Sequence, residues 1–108
     1  MTRKEKEIIK HFSGIGNVFK QDQLIGQVEY EIIVIQDYIL SGKDRIPSLK
    51  EISGTIQVSE NSFSIELGIE YLLILNDGRE WKFWAKSGNP IVGIYECVNP
   101  PGSGIDLR

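Results

Sequence analysis

The chain is poor in the residues that most often carry chemistry. Its 108 residues include one cysteine, one histidine and one methionine. Ordinary structural zinc sites need several Cys or His ligands at short spacing, so such a site is excluded. The single Cys97 has no partner for an internal disulfide, which excludes a small scaffold held together by disulfides. We expect no metal and no other cofactor.

Long hydrophobic runs and an excess of basic residues are missing as well. No segment approaches the roughly 18 consecutive apolar residues that a membrane helix needs, and residues 2–10 are mostly charged, unlike a signal peptide. A cytoplasmic protein without a membrane partner is therefore expected. The formal net charge is −3, and binding to nucleic-acid phosphates normally requires a basic face. Nucleic acid is not an expected partner.

Alternating apolar segments fill most of the chain instead. The clearest signal is a hairpin over residues 71–86, where apolar and aromatic runs flank the turn Asn76-Asp77-Gly78-Arg79, since an Asp-Gly pair favours a tight β-turn. The same kind of pattern predicts further strands at 17–20, 24–40, 50–58, 62–70 and 91–98, with a polar loop at 41–48. Strands at this spacing predict an all-β fold, a small antiparallel β-barrel or sandwich of six to seven strands.

Residues 1–13 are predicted to form a short N-terminal helix. Thr2 stands at a capping position with Glu5 three residues later, and Ile8, Ile9 and Phe12 would share one helical face. A helix this short is unstable alone in water, so it forms only if that face docks on the rest of the protein. A loose tail is the alternative, because chain termini are often poorly ordered.

The whole chain, residues 1–108, is expected to be one domain, since its length suits a single core. Residues 14–98 make up the β domain. Residues 99–108 are expected to form an extended tail, because Pro100 and Pro101 lack the N–H donor that a strand ladder uses.

The predicted strands carry apolar side chains on both faces. Ile33, Ile35 and Trp84 would point away from a barrel interior, and leaving several such side chains in water forgoes roughly 1.5 to 3 kcal/mol each. We therefore expect a cover over this outer patch. The N-terminal helix is one candidate, and a second copy of the chain in a homodimer is the other.

Aromatic residues supply the candidate ligand-binding site. Tyr and Trp are frequent at binding surfaces because they combine an apolar ring with a polar group. Ordinary core packing is the alternative for most of them. Trp84, with Lys82 and Lys86 on the same face, could also present a cationic and aromatic patch to an anionic partner. The predicted ligand-binding residues are Tyr30, Trp81, Phe83, Trp84 and Tyr95.

Catalytic arrangements are weak in this sequence. His11 and Cys97 are separated by most of the chain, and Gly14-Ile15-Gly16 lacks the third glycine and the following helix of a phosphate-binding loop. Glu29 and Glu31 share a strand face and could divide acid and base roles, although such pairs are usually solvated. We predict no catalytic residue and no enzyme.

The sequence therefore favours a noncatalytic binding or protein-interaction module that contacts a protein partner or self-associates. The alternative is a carrier that holds a small apolar or aromatic molecule inside the barrel. A small enzyme using the paired glutamates is a third reading.

Overall fold

The computed structural model describes residues 3–59 and 62–99, which form one antiparallel sheet. Its six strands are β1 (Arg3–Lys20), β2 (Gln23–Ser41), β3 (Asp44–Val58), β4 (Tyr71–Ile74), β5 (Glu80–Asn89) and β6 (Ile94–Val98). They pair in the order β1-β2-β3-β6-β5-β4, and β4 pairs with β1 as well. We call the part in which the strands pair in this closed order the ring. The all-β prediction is confirmed.

The predicted N-terminal helix over residues 1–13 is wrong. No α-helix, and so no helix suited to crossing a membrane, occurs in residues 3–59 and 62–99. β1 instead pairs with β2 along its whole length, from Arg3 opposite Leu40 to Lys20 opposite Gln23. A lone short helix is marginal in water, whereas β2 offers a ladder of backbone hydrogen bonds. The helical spacing of Ile8, Ile9 and Phe12 was therefore misleading.

The predicted strand over residues 62–70 is also absent. This segment makes an isolated bridge between Leu67 and Ala85 and no regular ladder. Ile65 is nevertheless buried, and its backbone N–H donates to the Tyr95 hydroxyl at 3.2 Å. The N–H of Glu66 donates to the hydroxyl of Tyr71 at 3.0 Å. Side-chain acceptors thus replace the ladder partners that these backbone donors would otherwise lack.

Three long strands extend beyond the ring. β6 pairs with β3 only as far as Ser53, and β4 pairs with β1 only from Asn17 onward. Residues 3–12, 33–41 and 44–52 therefore form a three-stranded extension, which we call the arm. The predicted polar loop at 41–48 is wrong for most of its length, because the turn is confined to Gly42 and Lys43. With the arm, the molecule measures 52 × 27 × 24 Å.

Most of the core lies inside the ring, and Val34 and Ile52 continue it to the start of the arm. Its largest fully buried side chains are Trp81, Tyr95, Phe83, Ile32 and Ile56. The glycines of Gly14-Ile15-Gly16 allow β1 to approach this core closely. A Cβ added at Gly16 would lie 2.5 Å from the carbonyl oxygen of Ile74 and 3.2 Å from the ring of Tyr30. These glycines therefore have a packing role.

Candidate interaction surface

One face of the arm carries an apolar stripe. The register pairs Ile8 with Ile35 and Ile39 with Ile46, so these side chains share a face with Ile33. Ile8 is 61% exposed and Ile46 is 49% exposed, while Ile33, Ile35 and Ile39 are half-buried. We call this surface, which continues the outer surface of the ring, the isoleucine face.

Charges both interrupt and flank the stripe: Asp37 lies between Ile35 and Ile39 on β2, and its partner across the strands is Lys6. β1 contributes Lys4 and Lys6, β2 contributes Asp37 and β3 contributes Glu51. Lys6 Nζ lies 3.9 Å from Asp37 Oδ1 and 3.4 Å from Glu51 Oε2, so its aliphatic stem crosses the middle strand and shields apolar surface there. Asp37 Oδ1 is buried and accepts no hydrogen bond from the residues described. The isoleucine face is thus basic along one strand and acidic along the other two.

On the opposite face of the arm, Val34 and Ile52 are buried in the core beside the ring, and the end of the arm carries charged residues that pair within the chain. The Arg45 guanidinium lies 3.6 Å above the ring of Tyr38. Its Nη2 atom is 2.6 Å from Glu7 Oε2 and 3.5 Å from Glu5 Oε1. The hydrogen bond to Glu7 raises the pKa of Arg45 above its ordinary value. The charged groups of Arg45, Glu5 and Glu7 on this face therefore already have partners within the chain.

Four of the five predicted ligand-binding residues are buried together in the core of the ring: Tyr30, Trp81, Phe83 and Tyr95. The rings of Trp81 and Phe83 stack with centroids 5.4 Å apart. Trp81 Nε1 donates to Asn99 Oδ1 at 2.7 Å. The Tyr30 hydroxyl donates to Asn76 Oδ1 at 3.0 Å and accepts the N–H of Asn76 at 3.1 Å. These side chains fill the interior, and the polar ends of Trp81 and Tyr30 bind the chain itself.

Trp84 lies apart from the other four. It is half-buried on the outer surface, where it pairs across strands with Val98. Lys82 and Lys86 are exposed, but Lys86 Nζ lies 3.9 Å from a Glu96 carboxylate oxygen, which offsets part of the predicted cationic patch. The structure does not unite Trp84 with the buried aromatic cluster.

A groove of about 240 Å³ runs over the outer surface of the ring. The chain partly pairs both carboxylates in its wall: His11 Nε2 lies 3.5 Å from Glu31 Oε1, and Ser87 donates to Glu96 at 3.2 Å. Within the described ranges no group of three His, Cys, Asp or Glu residues could hold a metal ion. The groove has the character of a solvated polar surface.

Cys97 contributes to the wall of this groove, but its side chain is buried on the interior side of the sheet. Burial raises the pKa of its thiol to about 12, with a smaller contribution from Glu96. The thiol therefore stays protonated at neutral pH, whereas nucleophilic cysteine chemistry uses the thiolate. His11 lies exposed on the outer face, away from it.

Sequence reasoning missed the arm. Two signals pointed to it: the alternating charges Lys4-Glu5-Lys6-Glu7, which suit an edge strand, and Gly42, whose φ of +62° suits a tight turn between two strands. No protein-family model matches the chain, and comparisons with curated proteins and with solved structures find no similar one.

Proposed function

We propose that this chain is a noncatalytic protein-interaction module, in which a small β-barrel formed by the ring supports the arm, and the isoleucine face of the arm is the binding surface. The observation that carries the proposal is the exposure of Ile8 and Ile46, at 61% and 49%, on a sheet face that no described element covers. Contiguous exposed apolar surface rimmed by polar residues is typical of sites that bind proteins.

The filled interior supports the same proposal. A carrier needs an internal cavity, yet Trp81, Phe83 and Tyr95 occupy the centre of the ring and are at most 2% exposed. Packed cores contain few voids larger than a water molecule, so an apolar ligand would have to displace these rings. The outer surface is then the part of the molecule left for recognition.

Capture from a lysate of the source cells, with the full chain immobilised, tests this proposal. We compare the native protein with an Ile8→Lys/Ile46→Lys variant and with a matched control, Ile15→Lys/Leu24→Lys, which alters equally exposed residues outside the arm. The proposal expects bound proteins that the arm variant loses and the control variant retains. Equal capture by all three proteins would contradict it.

A second measurement addresses the interior. Titration with fatty acids, nucleotides and aromatic metabolites is expected to leave the emission of Trp81 and Trp84 unchanged. A saturable shift that survives in the arm variant would instead support a carrier and overturn the proposal.

A further inference from the structure

We propose that the arm binds an extended segment of another protein, which pairs as an additional antiparallel strand along the outer edge of β1. This inference rests on the proposed function and names the kind of partner. Its basis is the unpaired backbone of β1 together with the pattern of charges on that strand.

The outer edge of β1 is unpaired over residues 3–11. These residues pair with β2 on one side, and β4 joins β1 only from Asn17 to Phe19. No further backbone hydrogen bond reaches residues 3–11 from the part of the chain that the structure describes. Alternate residues of an edge strand direct their N–H and C=O groups away from the sheet, so this edge is a template for one more strand. Extended peptides bind to proteins at edges of this kind.

The other edge of the arm, on β3, is a poorer template. It contains Pro47, which has no backbone N–H, and proline is one of the residues that blunt an exposed edge. β1 contains no proline. Ile8 and Ile9 also lie beside the β1 edge, and they are 61% and 38% exposed in an otherwise charged stretch. A strand added there would bury part of both side chains.

The charges of β1 disfavour pairing with the same strand of a second copy. Alternation places Lys4 and Lys6 on the isoleucine face and Glu5 and Glu7 on the opposite face. A two-fold axis normal to the sheet keeps every side chain on its own face. Antiparallel pairing of two such edges, centred on residues 4–7, therefore sets lysine against lysine or glutamate against glutamate. Like charges directly opposite each other are destabilising, so a strand of different sequence is expected at this edge.

Two charged residues near the start of β1 define what the added strand should carry. Lys4 lies opposite the apolar Ile39, so β2 places no carboxylate directly across from it. Glu5 shares Arg45 with Glu7 and is the more distant of the two, since its oxygen lies 3.5 Å from the guanidinium and that of Glu7 lies 2.6 Å from it. The edge therefore offers one positive and one negative side chain, on opposite faces, to a neighbouring strand.

The sequence of the partner segment follows from the antiparallel register. Read from its N-terminus, the segment has an apolar residue opposite Ile8, two uncharged residues, a basic residue opposite Glu5 and an acidic residue opposite Lys4. Opposite-charge pairs across strands stabilise the pairing modestly, and backbone hydrogen bonds supply the main attraction. The order of the basic and the acidic residue is therefore expected to decide the preference of β1.

Two labelled peptides of equal composition test the charge pattern. One contains Ile-Thr-Thr-Lys-Glu and the other contains Ile-Thr-Thr-Glu-Lys, and fluorescence anisotropy measures the binding of each to the full chain at up to about 1 mM. The first peptide is expected to bind about three- to tenfold more tightly. A Lys4→Glu/Glu5→Lys variant, which keeps the net charge of the native protein, is expected to reverse this preference.

Proline substitutions test the backbone edge. Of the consecutive residues Lys6 and Glu7, one directs its N–H toward β2 and the other directs it outward. Circular dichroism of Lys6→Pro and Glu7→Pro identifies the variant that keeps the native fold and so lacks only an outward donor. That variant is expected to bind the first peptide at least about tenfold more weakly. Ile46→Lys, on the isoleucine face but away from this edge, is the control and is expected to change binding by less than about twofold.

Amide exchange provides a readout that needs no substitution. Nuclear magnetic resonance follows the exchange of the backbone amides in residues 3–8 with and without the first peptide. Binding as an added strand is expected to slow exchange at every second amide of this stretch, because those are the donors that the peptide would bind. Docking of the peptide on a face of the arm would leave this alternation absent.

Three results would overturn the inference: no binding of the first peptide at about 1 mM, a preference that the Lys4→Glu/Glu5→Lys variant does not reverse, and binding without slower amide exchange along β1. Capture of cellular proteins that is lost in the Ile8→Lys/Ile46→Lys variant but kept in the folded proline variant would overturn the added strand as partner. The interaction function of the isoleucine face would then still stand.

Discussion

At the scale of single residues, two tyrosine hydroxyls hold the 62–70 segment against the ring. Tyr95, from β6, accepts the N–H of Ile65, and Tyr71, from β4, accepts the N–H of Glu66. The aromatic side chains of both tyrosines lie in the core. Each therefore contributes apolar burial through its aromatic group and a hydrogen bond through its hydroxyl. Tyr95, one of the predicted ligand-binding residues, thus has a hydrogen-bond partner within the chain.

Removing the Tyr95 hydroxyl should destabilise the protein. Tyr95→Phe leaves the buried N–H of Ile65 without its acceptor, and we expect the free energy of unfolding to fall by about 1 to 3 kcal/mol. Urea denaturation measures it. Tyr38→Phe, in the arm, is the control and should change stability by less than about 0.5 kcal/mol. Equal effects of the two substitutions would show that the hydroxyl of Tyr95 is not a structural acceptor.

Cys97 predicts a pH dependence of stability. Burial raises the pKa of its thiol from 9.0 to about 12, so the unfolded chain releases the proton at a lower pH than the folded chain. The stabilising contribution is fully present below about pH 9 and declines by roughly 1.4 kcal/mol per pH unit as the pH rises toward about 12. Comparing native protein with Cys97→Ala between pH 8 and pH 11 isolates this slope. Parallel curves would contradict the prediction.

The sequence predicts which aromatic residues are buried but not what they bind. Alternation along β5 places Trp81 and Phe83 on one face and Trp84 on the other, and the structure confirms this division. The hydroxyl and indole partners lie in irregular segments, such as Ile65 and Asn99, whose positions depend on the closed sheet. Local periodicity carries no information about such contacts.

At the scale of elements, the hairpin is where local signals are strongest, and it is confirmed. β4 and β5 pair from Tyr71 opposite Phe83 to Ile74 opposite Glu80. The predicted last strand at 91–98 is confirmed only from Ile94 onward. Gly93 has a φ of +74° and donates to the carbonyl of Asn89, so the chain is still turning there.

The failures of prediction share a physical cause. The charged stretch at the start of β1 is compatible with a helix and with a strand, and the partner strand β2 decides between them. Residues 62–70 alternate as regularly as a real strand, yet Leu67 is 56% exposed. An alternating apolar pattern therefore does not by itself produce a strand. The segment also needs a neighbouring strand with an unpaired edge.

The contact between Phe63 and Gly26 joins the 62–70 segment to β2 and can be tested by a double-mutant cycle. A Cβ at Gly26 would lie 2.3 Å from Phe63 Cε1, so we expect Gly26→Ala to cost about 1 to 3 kcal/mol of stability. In a Phe63→Ala background the same change should cost at least about 1 kcal/mol less. Thermal unfolding of the native protein, the two single variants and the double variant provides the cycle. Additive effects would show that the Phe63 side chain does not pack on Gly26.

At the scale of the whole molecule, the arm determines the shape. The Cα radius of gyration is 15.5 Å, whereas a compact chain of this length would have about 13 Å. Small-angle scattering at low concentration should therefore give a value clearly above about 13 Å. A value near that figure would mean that the arm folds back onto the ring in solution.

The arm contains neither tryptophan, since both lie in β5. Intrinsic tryptophan emission is therefore insensitive to binding at the arm, where we place recognition. An unchanged emission during a titration would carry little weight as evidence against binding there. Tyr38→Trp would install a reporter beneath the Arg45 guanidinium, on the reverse side of the isoleucine face. Its emission would follow bending or docking of the arm independently of the core.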